Sequence, residues 1–260
     1  VGGQVMISCK GDGDGLPTMP PSPPPPRYNI SLIPESEVGT LSIPGGRTSF
    51  ILVFTPRTEN FQITATNGKI IGSMKDPRLE DRGARSSFIV FAEVNPGFTL
   101  TVEAGSSSKT WLFTIREIPK CQRRPILRGT IYYTYAGNNE EIKEAAEWGM
   151  VFWSLLLNLE WRISNTQSTR PLFVFKASEK EYGSAWCTYD NYCSIQLPVN
   201  AEMGRKKFAA AHEIGHAIGL HHSPEEEGPY ALMWGTGGPC KSSPVRAQEF
   251  TYFVHPSRLQ

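Results

Sequence analysis

The sequence predicts an α+β chain of two folded parts, an antiparallel β-sandwich followed by an α/β unit. Three observations predict it. From about Tyr28 to Glu117, short segments alternate apolar and polar residues and no helical period of useful length interrupts them. From Lys120 onward apolar residues recur at three and four, with strand-like runs between two helical stretches. A Gly/Asp run, GDGDG, passes into PTMPPSPPPPR ahead of both parts and has no face to bury, so residues 1–27 are expected to be linker. A length of 260 residues suits two domains, drawn here as 28–118 and 119–260.

Charge is balanced, with Lys plus Arg 26 against Asp plus Glu 25 and 11 of each up to Pro119. No basic patch of nucleic-acid-binding strength survives that balance, so no nucleic-acid partner is expected. The 13 Phe, 9 Tyr and 6 Trp supply cores, and no apolar run of about 18 residues exists to cross a bilayer as a helix.

In the first part, NFQITAT (60–66), SSFIVFAEV (86–94), FTLTVEA (98–104) and KTWLFTIRE (109–117) have period two and read as half-buried strands. Pro44-Gly45-Gly46, Asn67-Gly68, Asn95-Pro96-Gly97 and Gly105-Ser106-Ser107-Ser108 carry turn chemistry and are expected to separate them. The part contains no His and no Cys. It is similar to bacterial immunoglobulin-like modules, which implies a spacer or adhesive role.

The second part opens with Ile131 to Tyr135, a β-branched and aromatic strand. Asn138-Asn139 then caps a helix with Glu140 and Glu141 in its first turn. Ile142, Ala145, Ala146, Gly149, Met150, Trp153, Leu156 and Leu157 mark its packed face. Strands are expected at Leu159–Ile163, Leu172–Phe175, Ser184–Thr188 and Cys193–Leu197, and KKFAAA opens a second helix.

That helix runs into HExxHxxGxxH, spelled His212, Glu213, His216, Gly219 and His222. Five fixed positions match by chance on the order of 10⁻⁴ times per chain of this size. On a helix, positions i and i+4 share a face, so His212 and His216 can present their rings to one metal ion. Gly219 can take the left-handed conformation that stops the helix and turns the chain back. His222 then supplies a third nitrogen and leaves the fourth tetrahedral position for water. Glu213 is placed to take a proton from that water rather than to bind the metal. His221 is outside this count and is expected to face solvent or to support a ligand from behind.

The segment is similar to the metzincin zinc endopeptidases, and Ser223 and Ala231-Leu232-Met233 give it a matrixin-like character. The resemblance covers about the last 140 residues. It implies a hydrolase that cleaves protein or peptide substrates, with catalytic Glu213 and with Met233 as the apolar floor beneath the histidines. It also implies an extended substrate pairing with the edge segment Ser184 to Tyr189. Ser184, Ala185, Trp186, Trp234 and Gly235 are its expected contacts. One zinc ion is implied. Matrixins hold calcium and a second zinc with Asp and His, but Asp190 is the only Asp after Pro119 and His255 the only His outside 212–222, so neither is expected. Gly235 stands where an astacin has a tyrosine ligand.

The five cysteines are Cys9, Cys121, Cys187, Cys193 and Cys240. Cys187 and Cys193 flank a hairpin turn around Asp190-Asn191, where a local disulfide is geometrically easy. Cys121 with Cys240 is the remaining pair; Pro119-Lys120-Cys121 is also similar to the matrixin propeptide switch, without its Gly and Asp. Met6-Ile7-Ser8-Cys9 is similar to the end of a bacterial lipoprotein signal, which implies lipidation of Cys9; a lone thiol is the other reading. Together these imply a monomeric extracellular bacterial enzyme, either a cell-surface lipoprotein or secreted. The alternatives are a surface adhesin whose β-sandwich is the main functional module, or a zymogen with that sandwich as its latency module.

Overall fold

The computed structural model of the chain describes residues 23–33, 46–77, 84–113, 119–120, 127–166, 168–220, 222 and 245–246. The first sheet contains β1 (Asn29–Ile33), β2 (Gly46–Thr55), β3 (Gln62–Lys75), β4 (Ser86–Ala104) and β5 (Ser107–Leu112). Its order is β1-β2-β4-β3, with β5 also on β4, and every pairing is antiparallel.

Two of the expected turns are corners inside strands. β3 runs through Asn67-Gly68 and β4 through Asn95-Pro96-Gly97 without reversing. The register passes from Thr66↔Thr99 to Gly68↔Val94, so one residue of β3 opposes four of β4 and the paired ribbon bends. Asn67 takes a left-handed φ of 52° and its Nδ2 donates to the Gly97 carbonyl at 3.0 Å. Gly68 is required by space, since a Cβ there would stand 2.2 Å from the Glu93 carbonyl oxygen. Turn chemistry thus bends the strands here because both have long partners on either side of the corner.

The bend folds the sheet around one core. Phe88, Val90, Ala92 and Val94 before the corner and Phe98, Leu100, Val102 and Ala104 after it enter the same buried cluster, with Phe50, Leu52, Phe54 and Trp111. Gly105, with φ +55°, turns β4 into β5, and a Cβ there would meet the Pro26 carbonyl at 2.1 Å. That carbonyl accepts the Ser106 N–H at 3.0 Å, so the end of the proline run is tied to this hairpin.

The segment from Ser86 to Ala92 is buried at every position, not at alternate ones. The expected half-buried reading is corrected by what covers the second face. Ile51, Val53, Ile89 and Phe91 belong to the core of the second part. A strand buried on both faces needs apolar residues throughout, which FILVF in β2 and FIVFA in β4 provide.

The second part contains β6 (Pro119–Lys120), β7 (Thr130–Ala136), α1 (Glu140–Leu157), β8 (Glu160–Ile163), β9 (Leu172–Ser178), β10 (Ser184–Cys187), β11 (Tyr192–Pro198), α2 (Met203–Ile218) and β12 (Val245–Arg246). β6 pairs with β12. The main sheet has the order β10-β11-β9-β7-β8, parallel except for β10, which runs antiparallel to β11.

α1 begins at Asn139, whose Oδ1 accepts the Ile142 N–H at 3.1 Å, and ends at Asn158 in the left-handed region. Its buried face includes all eight apolar positions of the sequence pattern, and Phe152 besides. Phe152 meets Phe91 edge to face with ring centres 5.2 Å apart, and Arg47 Nη1 donates to the Leu155 carbonyl at 3.4 Å. α1 therefore lies between the first sheet and α2.

α1 and α2 cross at Gly149. A Cβ there would stand 2.9 Å from Ile214 Cδ1 and 3.0 Å from the Ala211 nitrogen, so the close crossing favours glycine, although Gly costs about 1 kcal/mol against Ala inside a helix. Trp153 Nε1 donates to the Ala211 carbonyl at 2.7 Å beside that crossing. At its start α2 is tied to α1 by Lys206 with Glu141 and by Lys207 with Glu144 at 2.8 Å.

Phe91→Ala is expected to lower unfolding stability by about 3–5 kcal/mol. Because the core is shared, amide hydrogen exchange in α1 should accelerate together with that in β4. Acceleration confined to the first sheet would contradict the shared core.

Candidate metal and catalytic site

α2 sets His212 and His216 one turn apart, with ring centres at 4.7 Å. The helix closes at Gly219, φ 119°, where the Gly219 N–H donates to His216 O at 3.1 Å and the Leu220 N–H to Gly215 O at 2.9 Å. This is the paired-bond helix ending that a left-handed residue allows. The turn returns the chain over the last helical residues and brings the His222 ring to 4.7 Å from that of His216 and 5.3 Å from that of His212.

One ring nitrogen from each of His212, His216 and His222 lies within 4.8 Å of the others. His216 Nδ1 donates to the Leu220 carbonyl at 2.9 Å, which assigns the proton to that nitrogen and leaves Nε2 with a lone pair. That Nε2 faces His222 Nε2 at 3.1 Å. A tetrahedral ion bound at about 2.0–2.1 Å separates its nitrogen ligands by about 3.3 Å, so this grouping fits a single ion with little movement. Imidazoles suit zinc, copper, nickel or iron, and three of them leave a position open for a reactant.

Glu213 is 7% exposed. Burial pushes its carboxyl up to about 7, and an opposing backbone N–H from Ala185 pulls it down. Gly183 is part of this seat, since a Cβ there would stand 2.8 Å from Glu213 Cγ and 3.0 Å from its Oε1.

β10 is the end strand of its sheet. Its backbone alternates between facing β11 and facing outward. The Thr188 N–H reaches Tyr192 O at 2.8 Å, whereas Cys187 and Cys193 form a close pair with a Cα–Cα distance of 4.1 Å. In that alternation Ala185 and Cys187 direct their N–H and C=O groups away from β11, and Glu213 takes up the Ala185 N–H on this outer edge. A disulfide joins Cys187 to Cys193.

Of the residues named from sequence, the structure brings together the three histidines, and it seats Glu213 against β10, which contains Ser184, Ala185 and Trp186. Cys9, Cys121, His221, Ser223, Met233, Trp234, Gly235 and Cys240 lie outside the described residues. Sequence reasoning missed three contributors: Trp153, which holds the Ala211 carbonyl next to His212; the Leu220 carbonyl, which orients His216; and Gly183. Gly183 carried a signal, as a glycine at the start of a strand marks close approach by another group. The other two had none, because their roles depend on tertiary contact.

No family model and no curated protein matches the chain. Among solved structures it is similar to domains 4 and 5 of the S-layer protein SbsC, with 15% identity, a TM-score of 0.25, and coverage of 35% of this chain and 53% of that one. It is also similar to surface layer protein SbsC domains 4–9, with 15% identity, a TM-score of 0.27, and coverage of 44% and 18%. Tandem Ig repeats of Dlar match with 13% identity, a TM-score of 0.23, and coverage of 42% and 59%. Each match spans less than two thirds of the other chain. The described residues are mostly β-sheet with two helices, and the first part is compatible with an immunoglobulin-like sandwich.

Zinc should bind in one equivalent and, at a free concentration 100 times its Kd, raise unfolding stability by about 2.7 kcal/mol. His212→Ala, His216→Ala and His222→Ala should each abolish that rise in a thermal melt. Persistence of the rise in all three would place the ion elsewhere.

Proposed function

We propose that the chain is a zinc-dependent endopeptidase of metzincin type that acts on extracellular proteins. The observation that carries this reading is the convergence of His212, His216 and His222 next in sequence to a buried Glu213 whose carboxylate lies on the outer edge of β10. His212, His216 and His222 would hold the ion. Bound zinc supplies Lewis acidity, lowering the pKa of a water toward about 7 and polarising a carbonyl.

The remaining steps belong to the chain. Glu213 accepts a proton at its carboxylate as the water oxygen attacks the peptide carbonyl carbon. It then delivers that proton to the amine nitrogen as the C–N bond breaks. A carboxyl near 7 suits both transfers at neutral pH, since each protonation state is within easy reach. The outward groups of β10 other than the Ala185 N–H, which Glu213 takes, bind the substrate as an added strand, which selects extended segments over folded ones. Burial of Glu213 against β10 excludes water that would otherwise solvate the base. The Cys187–Cys193 disulfide supports an oxidising compartment outside the cytoplasm. The first sheet, packed on α1 through Phe91 and Phe152, supports the helix pair from behind.

Glu213→Gln should reduce kcat/KM on an unfolded protein substrate by about 10²–10⁴ while zinc content stays at one equivalent. Full activity in that variant would remove Glu213 from the mechanism. A wild-type chain that binds zinc but cleaves no unfolded protein or library peptide would instead be read as a surface-binding protein. Gly183→Ala should lower kcat by about tenfold, a cost of about 1.4 kcal/mol, by displacing the Glu213 carboxylate.

A further inference from the structure

We propose that the turn following β10 is a second, distal contact for the substrate, with Tyr189 as its anchor, so that the enzyme selects long extended segments over short peptides. The inference rests on the peptidase reading above.

The turn from Thr188 to Tyr192 is fixed at nearly every residue. The Cys187–Cys193 disulfide closes its base. Thr188 bonds to Tyr192 in both directions, its N–H to Tyr192 O at 2.8 Å and its Oγ1 accepting the Tyr192 N–H at 3.2 Å. The Thr188 hydroxyl also donates to Asp190, whose other oxygen accepts Arg170 Nε at 2.9 Å. The Arg170 guanidinium lies over the Tyr192 ring at 5.4 Å. Asn191 takes φ 63°, and its carbonyl accepts the Leu172 N–H at 3.0 Å.

Tyr189 is the exception. Its relative exposure is 109%, higher than that of any other large apolar or aromatic residue described. An aromatic ring held out by an ordered turn loses little entropy on binding and offers a large contact area, the combination found at interface anchors. Tyr189 follows the end of β10 by two residues, in the turn that continues from that strand. At about 3.3 Å per residue, Tyr189 lies at most roughly 13 Å from Ala185, where Glu213 is held. A strand added to β10 would therefore reach Tyr189 about four residues from the bond being cleaved, passing Trp186, which is 63% exposed, on the way. The continuity of the turn with that edge makes the occupant a polypeptide segment of the substrate itself.

The test uses the full-length zinc-loaded chain carrying Glu213→Gln, so that binding is read without turnover. The probe is a fluorescently labelled form of the peptide that the wild type cleaves best in a random library, together with versions truncated to three residues on either side of the cleaved bond. Tyr189→Ala should weaken binding of the long peptide about five- to tenfold, and Tyr189→Phe should restore it. In the Tyr189→Ala background, the long peptide should bind no better than the version truncated on the side that overlies the turn. Equal affinity of both backgrounds for the long peptide would overturn the inference and leave the peptidase reading intact. Failure of the wild type to cleave any library member would overturn both.

Discussion

Where Gly149 lies against Ala210 and Ala211, two helices approach to backbone contact, and the position of the histidines follows from that approach. α2 holds His212 and His216, and its carbonyl at Ala211 is held by Trp153 from α1. A methyl group at residue 149 would displace the end of the Ile214 side chain and press on the backbone of residues 210 and 211, at 3.1 and 3.0 Å, which yields less easily. Relieving that contact takes a shift of a few tenths of an ångström between the helices, and the face that presents both rings moves with α2. A glycine that local helix propensity disfavours is thus retained by packing.

The same constraint explains why the first sheet is not an appendage. α1 is packed by α2 on one side, and Phe152 and Leu155 face strands β2 and β4 on the other. Ile51, Val53, Ile89 and Phe91 share a single buried cluster with Ile214 and Ala217 of α2. Each such side chain contributes about 1.5–3 kcal/mol by leaving water. Separating the parts would expose a row of them along with the outer face of α1. Among the described residues, α1 is a layer shared by the cores of the two five-stranded sheets.

Much of this was legible in the residues. Asn139, the three-and-four spacing of α1, Gly219 and the zinc-type spacing on α2 each have one local meaning, and the structure uses them in it. Asn67-Gly68 and Asn95-Pro96-Gly97 have two local meanings. The same freedom at φ that closes a hairpin also lets a long strand turn a corner, and only the partner strands decide between them. FIVFA looks like one half of an alternating strand when read with its polar flanks, and like a doubly buried strand when read alone. Its second covering layer lies more than 50 residues away in α1, beyond any local pattern. At the site, the ligand spacing was visible, but the groups that orient it were not. The Leu220 carbonyl is a backbone atom with no sequence signature, and Trp153 had the spacing of an ordinary core residue.

The functional reading depends on three imidazoles sharing one zinc ion. Gly219 turns the chain, the Leu220 carbonyl fixes the His216 tautomer, and Glu213, next to His212 in sequence, is held on a strand edge. Zinc K-edge X-ray absorption of the purified full-length chain tests this most directly. The account predicts one zinc per chain with three imidazole nitrogens at about 2.0–2.1 Å and one light oxygen ligand. Absence of zinc, or a shell containing sulfur or oxygen in place of the three nitrogens, would contradict it.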